Sequence, residues 1–210
     1  APPTFMKIMN DILREFIDKF VLVYLDDILI YSRNIKEHAS HVTKVFEKLK
    51  ESNLYLNKSK CEFATSSVEY LGVIISNDTM KPSPQKTKCI HTWPIPKTKK
   101  DIKSFLGLCS YYKKFIPGFS EIAAPLSDLT KEDKTFNIGT REAHAFNQLK
   151  EILTSPLILK LPDFTKEFFV ETDASDRAIG AVLSQKYEES YLPIAFESKK
   201  LSEAELNYPT

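Results

Sequence analysis

The sequence is poor in glycine and cysteine. Its 210 residues include 5 Gly, against 12 Pro, and 3 Cys without a Cys-x-x-Cys pair. Scarce glycine, with 42% hydrophobic and 27% charged residues, excludes collagen-like, linker-like and disordered compositions. The cysteine pattern indicates neither a disulfide framework nor a zinc knuckle, and it favours a reducing intracellular setting. The composition therefore predicts a folded intracellular protein.

Long apolar runs are also missing. The longest stretch runs from Phe20 to Leu25, far short of the roughly 18 residues of a membrane-spanning helix, and no apolar signal core follows the N-terminus. We therefore expect no membrane partner. The chain begins at Ala1 without Met, and a capping box of Ser202 and Glu205 predicts a helix close to the last residue. We expect a piece of a longer polypeptide.

Positive charge is concentrated in one segment, although the formal net charge is only +1. Residues 81–114 contain nine lysines and one acidic residue, Asp101. Such a field suits a polyanion, whereas the simpler alternative is a solvated helical face. Interleaved aromatic residues favour nucleic-acid binding slightly, although most of them could equally lie in the core. The lysines are Lys81, Lys86, Lys88, Lys97, Lys99, Lys100, Lys103, Lys113 and Lys114.

Hydrophobic periodicity predicts a mixture of strands and helices that begins with a hairpin. Two β-rich runs within residues 20–32 are separated by Asp26 and Asp27. An amphipathic helix over 35–52, capped by Asn34, would cover one face of the hairpin. Further strands are predicted at 60–64, 68–71 and 73–76, with a turn at 77–78.

Helices and then strands are predicted in the second half. Helices are expected from Ser83-Pro84 to before Pro94, from Thr98 to before Pro117-Gly118, over 119–129, and around Phe146 and Leu149. Strand patterns return at 168–173, 178–185 and 191–197.

The pair Asp26 and Asp27 violates local rules. Two-residue hairpin loops favour Asn-Gly or Asp-Gly, because positive φ is required, and adjacent carboxylates next to apolar strands repel each other. A divalent cation would relieve the repulsion, since hard oxygen ligands suit magnesium and paired ions catalyse phosphoryl transfer. For an arbitrary Asp-Asp pair a solvated turn is the alternative. The apolar strands on both sides and Tyr24 favour the metal interpretation.

Residues 24–32, Tyr-Leu-Asp-Asp-Ile-Leu-Ile-Tyr-Ser, resemble the catalytic hairpin of reverse transcriptases from gypsy-type LTR retrotransposons. Further motifs resemble that family in its order along nearly the whole chain. They are residues 1–5 at a helix entry, 70–72 as a primer-grip hairpin, 93–94 with 105–108, 111–112 and 115–116 as the thumb, and 171–175 with 179–185 as the first strands of ribonuclease H.

The resemblance implies an α+β fold with four parts. They are the C-terminal part of a polymerase palm over 1–80, a helical thumb over 81–135, a connecting helix and link over 136–165, and the N-terminal part of a ribonuclease H-like α/β domain over 166–210.

The resemblance also implies two metal sites. Asp26 and Asp27 would be two of three carboxylates that hold Mg²⁺, with Mn²⁺ as a possible substitute, and Tyr24 would lie beside the primer terminus. Asp173 would be the first of four acidic ligands in the ribonuclease H site. The third polymerase carboxylate and the other ribonuclease H ligands would lie outside this chain.

Nucleic-acid contacts are implied for two further groups. Tyr70, Leu71 and Gly72 would position the primer strand, and thumb lysines would hold the duplex through phosphate contacts. These lysines are Lys97, Lys99, Lys100, Lys103, Lys113 and Lys114.

The implied function is that of an RNA-directed DNA polymerase with attached ribonuclease H. Its partners would be RNA–DNA hybrid, DNA primer-template, deoxynucleoside triphosphates and other Pol domains, in cytoplasmic virus-like particles or the nucleus. We expect the 210-residue chain alone to be inactive and its last 45 residues or so to be poorly stabilised. The alternatives are an inactive remnant that only binds nucleic acid through the basic thumb, and a structural fragment without a partner.

Overall fold

The structure is a computed structural model that describes residues 2–202 and 204–207. The chain divides into two compact units, residues 1–70 and 71–210, which are described separately. Within the described ranges, no helix is both long and apolar enough to cross a membrane. Ala1 of the helix-entry motif and the end of the predicted C-terminal helix lie outside these ranges.

The first unit combines two helices with a β-hairpin and a further strand. Its core consists of side chains from both helices and the hairpin, among them Leu13, Val21 and Leu49. The elements are α1 (Pro2–Leu13), β1 (Val21–Tyr24), β2 (Asp27–Ile30), α2 (Ile35–Glu51) and β3 (Ser67–Tyr70), with a 3-10 turn at Lys58–Lys60.

Helix α2 begins where the sequence predicts it. The Asn34 side chain accepts a hydrogen bond from the Glu37 amide at 3.0 Å, which satisfies one of the free N–H groups of the first turn. Val45 and Leu49 are the buried residues of its apolar face. The hairpin therefore has a helical cover of its own.

Two local predictions in this unit are wrong. The hairpin loop is Leu25-Asp26 instead of Asp26-Asp27, because Tyr24 pairs with Asp27 and Asp27 begins β2. The predicted strand at 60–64 is absent, since the Asn57 side chain accepts from Ser59 and starts a 3-10 turn at that place. In both cases hydrogen bonding overrides the apolar pattern.

The second unit is larger, and its described residues form four helices and strands of two sheets. One sheet has the order β4-β5-β6 and the other the order β7-β8-β9, both antiparallel. The elements are β4 (Val73–Ser76), β5 (Thr79–Pro82), α3 (Pro84–His91), α4 (Lys99–Tyr111), α5 (Phe119–Leu129), α6 (Thr140–Thr154), β6 (Leu159–Lys160), β7 (Phe169–Ala174), β8 (Ala178–Tyr187) and β9 (Ser190–Lys200), with 3-10 turns at Lys113–Phe115 and Glu205–Asn207.

Helix α4 is fixed at its start and along one face. Thr98 and Asp101 form the capping box, in which each side chain accepts from the other residue's backbone amide. Ile102, Phe105 and Cys109 are fully buried. Phe105 lies 4.6 Å, centroid to centroid, from Phe146 of α6, so α4 is anchored to the unit's main core.

The β7–β9 sheet is attached to the helices through β9. Ser120 of α5 donates from its amide and its hydroxyl to Ser198, at 2.8 and 2.9 Å. Lys200 forms an ion pair with Asp128 at 2.6 Å. The side chains of β7 from Val170 to Ala174 remain exposed. The sequence did not predict the attachment through β9, and the stability of the last 45 residues stays a prediction.

The loop between β6 and β7 is held by one buried amide. The Gln185 side chain is fully buried, donates to the Asp163 and Lys166 carbonyls at 2.7 and 3.3 Å, and accepts from the Asp163 amide at 2.9 Å. These three hydrogen bonds give the loop a defined path.

Candidate nucleic-acid and metal site

The tip of the β1–β2 hairpin carries two exposed carboxylates. Asp26 lies in the loop and Asp27 is the first residue of β2, directly opposite Tyr24, whose ring is 46% exposed. Leu25 has a φ of 54°, a left-handed conformation that is costly for a leucine. Strained residues of this kind cluster at functional sites.

The two carboxylates suit a hard divalent cation but form only part of a ligand set. Neither makes an ion pair within residues 2–202 and 204–207, so their charge is not neutralised there. In the same ranges, no group of three or more His, Cys, Asp or Glu residues could hold a metal ion. Magnesium commonly takes one or two carboxylates and keeps several waters, so the pair fits a partial site.

The base of the hairpin is clamped to α2, which the sequence analysis missed. The His41 ring stacks on Phe20 with centroids 3.8 Å apart. Its Nδ1 lies 2.8 Å from the Ser32 hydroxyl, which also hydrogen-bonds His38 at 3.2 Å. Since Phe20 precedes β1 and Ser32 follows β2, His41 contacts both legs of the hairpin. Spacing alone could not reveal this contact, because it depends on where α2 packs.

Tyr70, at the end of β3, lies in the electrostatic field of Asp27. Burial raises the pKa of the Tyr70 hydroxyl, and the negative charge of Asp27 raises this pKa further. Like any tyrosine at neutral pH, Tyr70 is protonated and can donate a hydrogen bond, and the raised pKa shows that its anion is disfavoured beside Asp27.

Three of the six predicted duplex-binding lysines have partners inside the second unit. Lys99 donates to the carbonyls of Lys131 and Glu132. Lys113 pairs with Glu197 at 2.8 Å. Lys114 is half-buried, contacts Met80 Sδ at 3.4 Å, and has a pKa lowered by burial. Their charge contributes to the local field, but their ammonium groups already have contacts within the protein.

The other three predicted lysines are exposed. Lys97, Lys100 and Lys103 form no side-chain hydrogen bond or ion pair within the part of the chain that the structure describes. On α4, the spacing of Lys100, Lys103 and Gly107 places them on one face. A Cβ added at Gly107 would meet nothing within 4 Å, so this face leaves room for close backbone approach.

Leu71 and Gly72 form a turn in which both residues have positive φ, 50° and 72°. The hydroxyl of Tyr111 donates to the Leu71 carbonyl, and that of Tyr112 donates to the Gly72 carbonyl at 3.1 Å. The adjacent tyrosines could be recognised from the sequence only as aromatic residues of the thumb.

Asp173 lies near the end of β7, opposite Gly180 of β8. Its carboxylate is exposed and accepts a hydrogen bond from the Ala174 amide at 2.9 Å. Glu171 is also exposed and lies two positions earlier, on the same face of the strand.

Two family models match the chain. Residues 1–75 match the reverse transcriptase (RNA-dependent DNA polymerase) model, and residues 138–210 match the model of an RNase H-like domain found in reverse transcriptase. Together with the carboxylate hairpin, they define the class as a reverse transcriptase joined to an RNase H-like domain. Both families generally depend on divalent metal ions.

Curated relatives cover the chain almost completely. It is 46% identical to the retrovirus-related Pol polyprotein from transposon 297 of Drosophila melanogaster and 41% identical to the transposon Tf2-3 polyprotein of Schizosaccharomyces pombe, over 99% of its length. It spans 19% and 16% of those proteins. The chain is therefore similar to one part of transposon Pol polyproteins, which confirms the resemblance seen in the sequence.

Solved structures support the same fold. A foamy viral protease-reverse transcriptase in complex with double-stranded DNA matches with a TM-score of 0.85, at 25% identity, over 99% of this chain and 36% of that chain. The same viral protein in complex with RNA/DNA hybrid gives a TM-score of 0.81, at 25% identity, over 99% of this chain and 28% of that one. The α+β assignment, with a palm part and a ribonuclease H-like part, is confirmed.

Proposed function

We propose that this chain supplies one arm of the polymerase metal site and the duplex-holding helix of an RNA-directed DNA polymerase within a transposon Pol polyprotein. The observation that carries the proposal is the exposed Asp26-Asp27 pair, which forms no ion pair with any described residue and lies on a hairpin whose loop is strained and whose base is clamped. A merely solvated turn has no need of either feature.

Asp26 and Asp27 would hold Mg²⁺, or Mn²⁺ in its place, which when bound activates the attacking oxygen and stabilises the leaving one. The substrates would be a primer end and a deoxynucleoside triphosphate. Tyr24 offers an exposed ring beside the carboxylates, and a base or sugar of the primer terminus could pack on it. The Tyr70 hydroxyl, which lies in the field of Asp27, would donate a hydrogen bond at this site.

The exposed face of α4 would hold the duplex. Lys100 and Lys103 would contact phosphates, and Gly107 would let the helix backbone approach a groove. The related viral reverse transcriptases were solved with double-stranded DNA and with RNA/DNA hybrid, which supports the same partners here. Lys97 would also contact phosphates. Lys99, Lys113 and Lys114 would contribute only their positive charge to the local electrostatic field.

Asp173 would contribute to a second metal site, which cleaves the RNA of a hybrid. The match of residues 138–210 to the RNase H-like model supports this proposal. Its exposed carboxylate on the outer strand is open to a metal ion and its nucleic-acid substrate. The other Pol domains would supply the remaining ligands of both sites.

Duplex binding is tested with the 210-residue chain and a fluorescent RNA–DNA hybrid. The double variant Lys100→Ala/Lys103→Ala should weaken binding about tenfold and reduce the slope of log affinity against log salt by about 2. Lys36→Ala/Lys44→Ala, which removes two exposed lysines from α2, is the matched control. An equal loss of affinity in both double variants would show that binding depends only on the total positive charge. That result would contradict the assignment of α4 as the duplex-binding helix.

The chemistry is tested in a reverse transcriptase that carries these residues. Asp27→Asn should lower magnesium-dependent primer extension by at least about 1000-fold, because a metal ligand is lost. Glu47→Gln, which removes an exposed carboxylate from α2, should leave extension unchanged. Full extension by Asp27→Asn would overturn the metal role. The 210-residue chain alone should bind hybrid but neither extend a primer nor cleave RNA.

A further inference from the structure

Helix α4 ends in two adjacent tyrosines that hold one turn. Tyr111 donates to the Leu71 carbonyl and Tyr112 to the Gly72 carbonyl. The two rings pack edge to face, with centroids 5.0 Å apart. Consecutive hydroxyls thus engage consecutive carbonyls, and a shift of the helix end would break or displace both hydrogen bonds together.

The turn itself is shaped to accept this contact. A Cβ added at Gly72 would lie 3.3 Å from Tyr112 Oη and 3.4 Å from Tyr111 Cε1, closer than an ordinary contact. Gly72 also has a positive φ, which disfavours any side chain there. Its carbonyl accepts a second hydrogen bond from the Ser83 amide at 2.9 Å. The turn is therefore held from two sides.

The helix end is well suited to transmit a displacement. Tyr112 is 1% exposed and packs near Phe115, with ring centroids 6.3 Å apart. One and two turns earlier, respectively, Cys109 and Phe105 are fully buried. The opposite face of the same helix carries exposed Lys100 and Lys103. A packed helix links that exposed face rigidly to the tyrosine end.

We propose that Tyr111 and Tyr112 are positioning residues that couple duplex binding on α4 to the Leu71–Gly72 turn. This inference rests on the proposed function, in which α4 holds the duplex, and on the primer-positioning role that the sequence resemblance implies for the turn. Duplex bound to α4 restricts the helix end, and the two hydrogen bonds then restrict the turn. The two tyrosines take no part in the reaction, and their role is to fix the position of the turn.

The coupling is measured by hydrogen exchange on the 210-residue chain, with and without a saturating RNA–DNA hybrid. In the wild-type protein the hybrid should slow exchange of the amides of residues 71–73 about tenfold, a usual size for coupling between sites. In Tyr111→Phe/Tyr112→Phe the affinity should stay within about twofold, while this protection falls to less than about twofold. Tyr55→Phe, at an exposed ring, is the matched control.

Each outcome has a separate meaning. If the hybrid protects the turn equally in the double variant, the tyrosines do not couple the sites and the inference is wrong. If the hybrid binds the wild-type protein but leaves the turn unprotected, the inference is also wrong. If the wild-type protein binds no hybrid at low salt, the proposed function itself fails. The single variants Tyr111→Phe and Tyr112→Phe, which keep both rings, replace the double variant if it unfolds.

Discussion

Two tight hairpins, β1–β2 in the first unit and β4–β5 in the second, are built by opposite means. The β4–β5 loop is Asn77-Asp78, with φ of 47° and 58°, and both residue types tolerate that conformation. The β1–β2 loop is Leu25-Asp26, and only Leu25 has a positive φ. The conformational preferences of Asn77 and Asp78 thus stabilise the β4–β5 loop. The β1–β2 loop, in contrast, adopts a conformation that the preference of Leu25 opposes. The disfavoured loop is the one that presents the adjacent carboxylates Asp26 and Asp27.

The hydrophobic cores of the two units also differ in how many large side chains they bury. The second unit buries many large side chains around α4 and α6, including Phe105, Tyr112 and Phe115. The first unit has a small core and leaves apolar side chains such as Phe5, Ile8 and Ile35 exposed. The strained loop therefore belongs to the unit with less burial to support it.

The largest expected effect is a difference in the free energy of unfolding between two Phe→Ala variants, one in each unit. Phe105→Ala, at a fully buried ring, should lower the free energy of unfolding of its unit by about 5 kcal/mol, whereas Phe16→Ala, at 8% exposure, should cost about 3 kcal/mol. Each loss is read from the exchange rates of amides in its own core. A loss at Phe16 equal to that at Phe105 would contradict the comparison of cores.

Two cysteines should differ by several orders of magnitude in alkylation rate. Burial raises the pKa of Cys109 in the second unit to about 12, whereas Cys61 in the first unit is only half-buried. At pH 8, iodoacetamide should modify Cys61 at least about 1000-fold faster, because the thiolate reacts. Peptide mass spectrometry reports both rates, and exposed Cys89 is the internal reference. Rapid modification of Cys109 would mean that the larger core opens readily.

Exchanging loop chemistry should produce effects of opposite sign. Asn77→Leu should destabilise the second unit by about 1–2 kcal/mol, since leucine resists positive φ. Leu25→Asn should stabilise the first unit by up to about 1 kcal/mol, because asparagine relieves the strain but loses some packing. Urea unfolding measures both. If Leu25→Asn is strongly destabilising, packing of Leu25 is what holds the loop.

The smallest effect concerns pH at the end of the described chain. Hydrogen bonds from Lys199 and from Ser202 lower the pKa of Glu205 to about 2. The carboxylate therefore stabilises the Glu205–Asn207 turn fully above its unfolded pKa of about 4.5, and the contribution is lost as pH falls toward 2. The Ser202 amide shift, followed by NMR, should titrate in that window. Glu205→Gln should abolish the titration, and an unchanged curve would exclude Glu205 as its source.

Sequence patterns predicted the elements best where local chemistry and packing agree. Asn34 and Thr98 begin helices as predicted, because their caps depend only on residues three positions away. The hairpin loop was displaced by one residue, since Leu25 adopts a conformation that its type disfavours.

The candidate site was predictable in its residue types but less so in its contacts. Lys99, Lys113 and Lys114 look equivalent to Lys100 and Lys103 in the sequence, yet distant partners engage them. No spacing rule connects such residues, because the partners meet only after the helices have packed.

The loop between β6 and β7 is the natural place to divide the chain for separate expression of its parts. Gln185 makes that choice costly. A piece cut near residue 165 would separate the Gln185 side-chain amide from the Asp163 amide and carbonyl, which make two of its three hydrogen bonds, and a buried amide that loses its partners is strongly unfavourable. Co-expression of the two pieces, or a boundary placed before β6, would preserve the hydrogen bonds of Gln185.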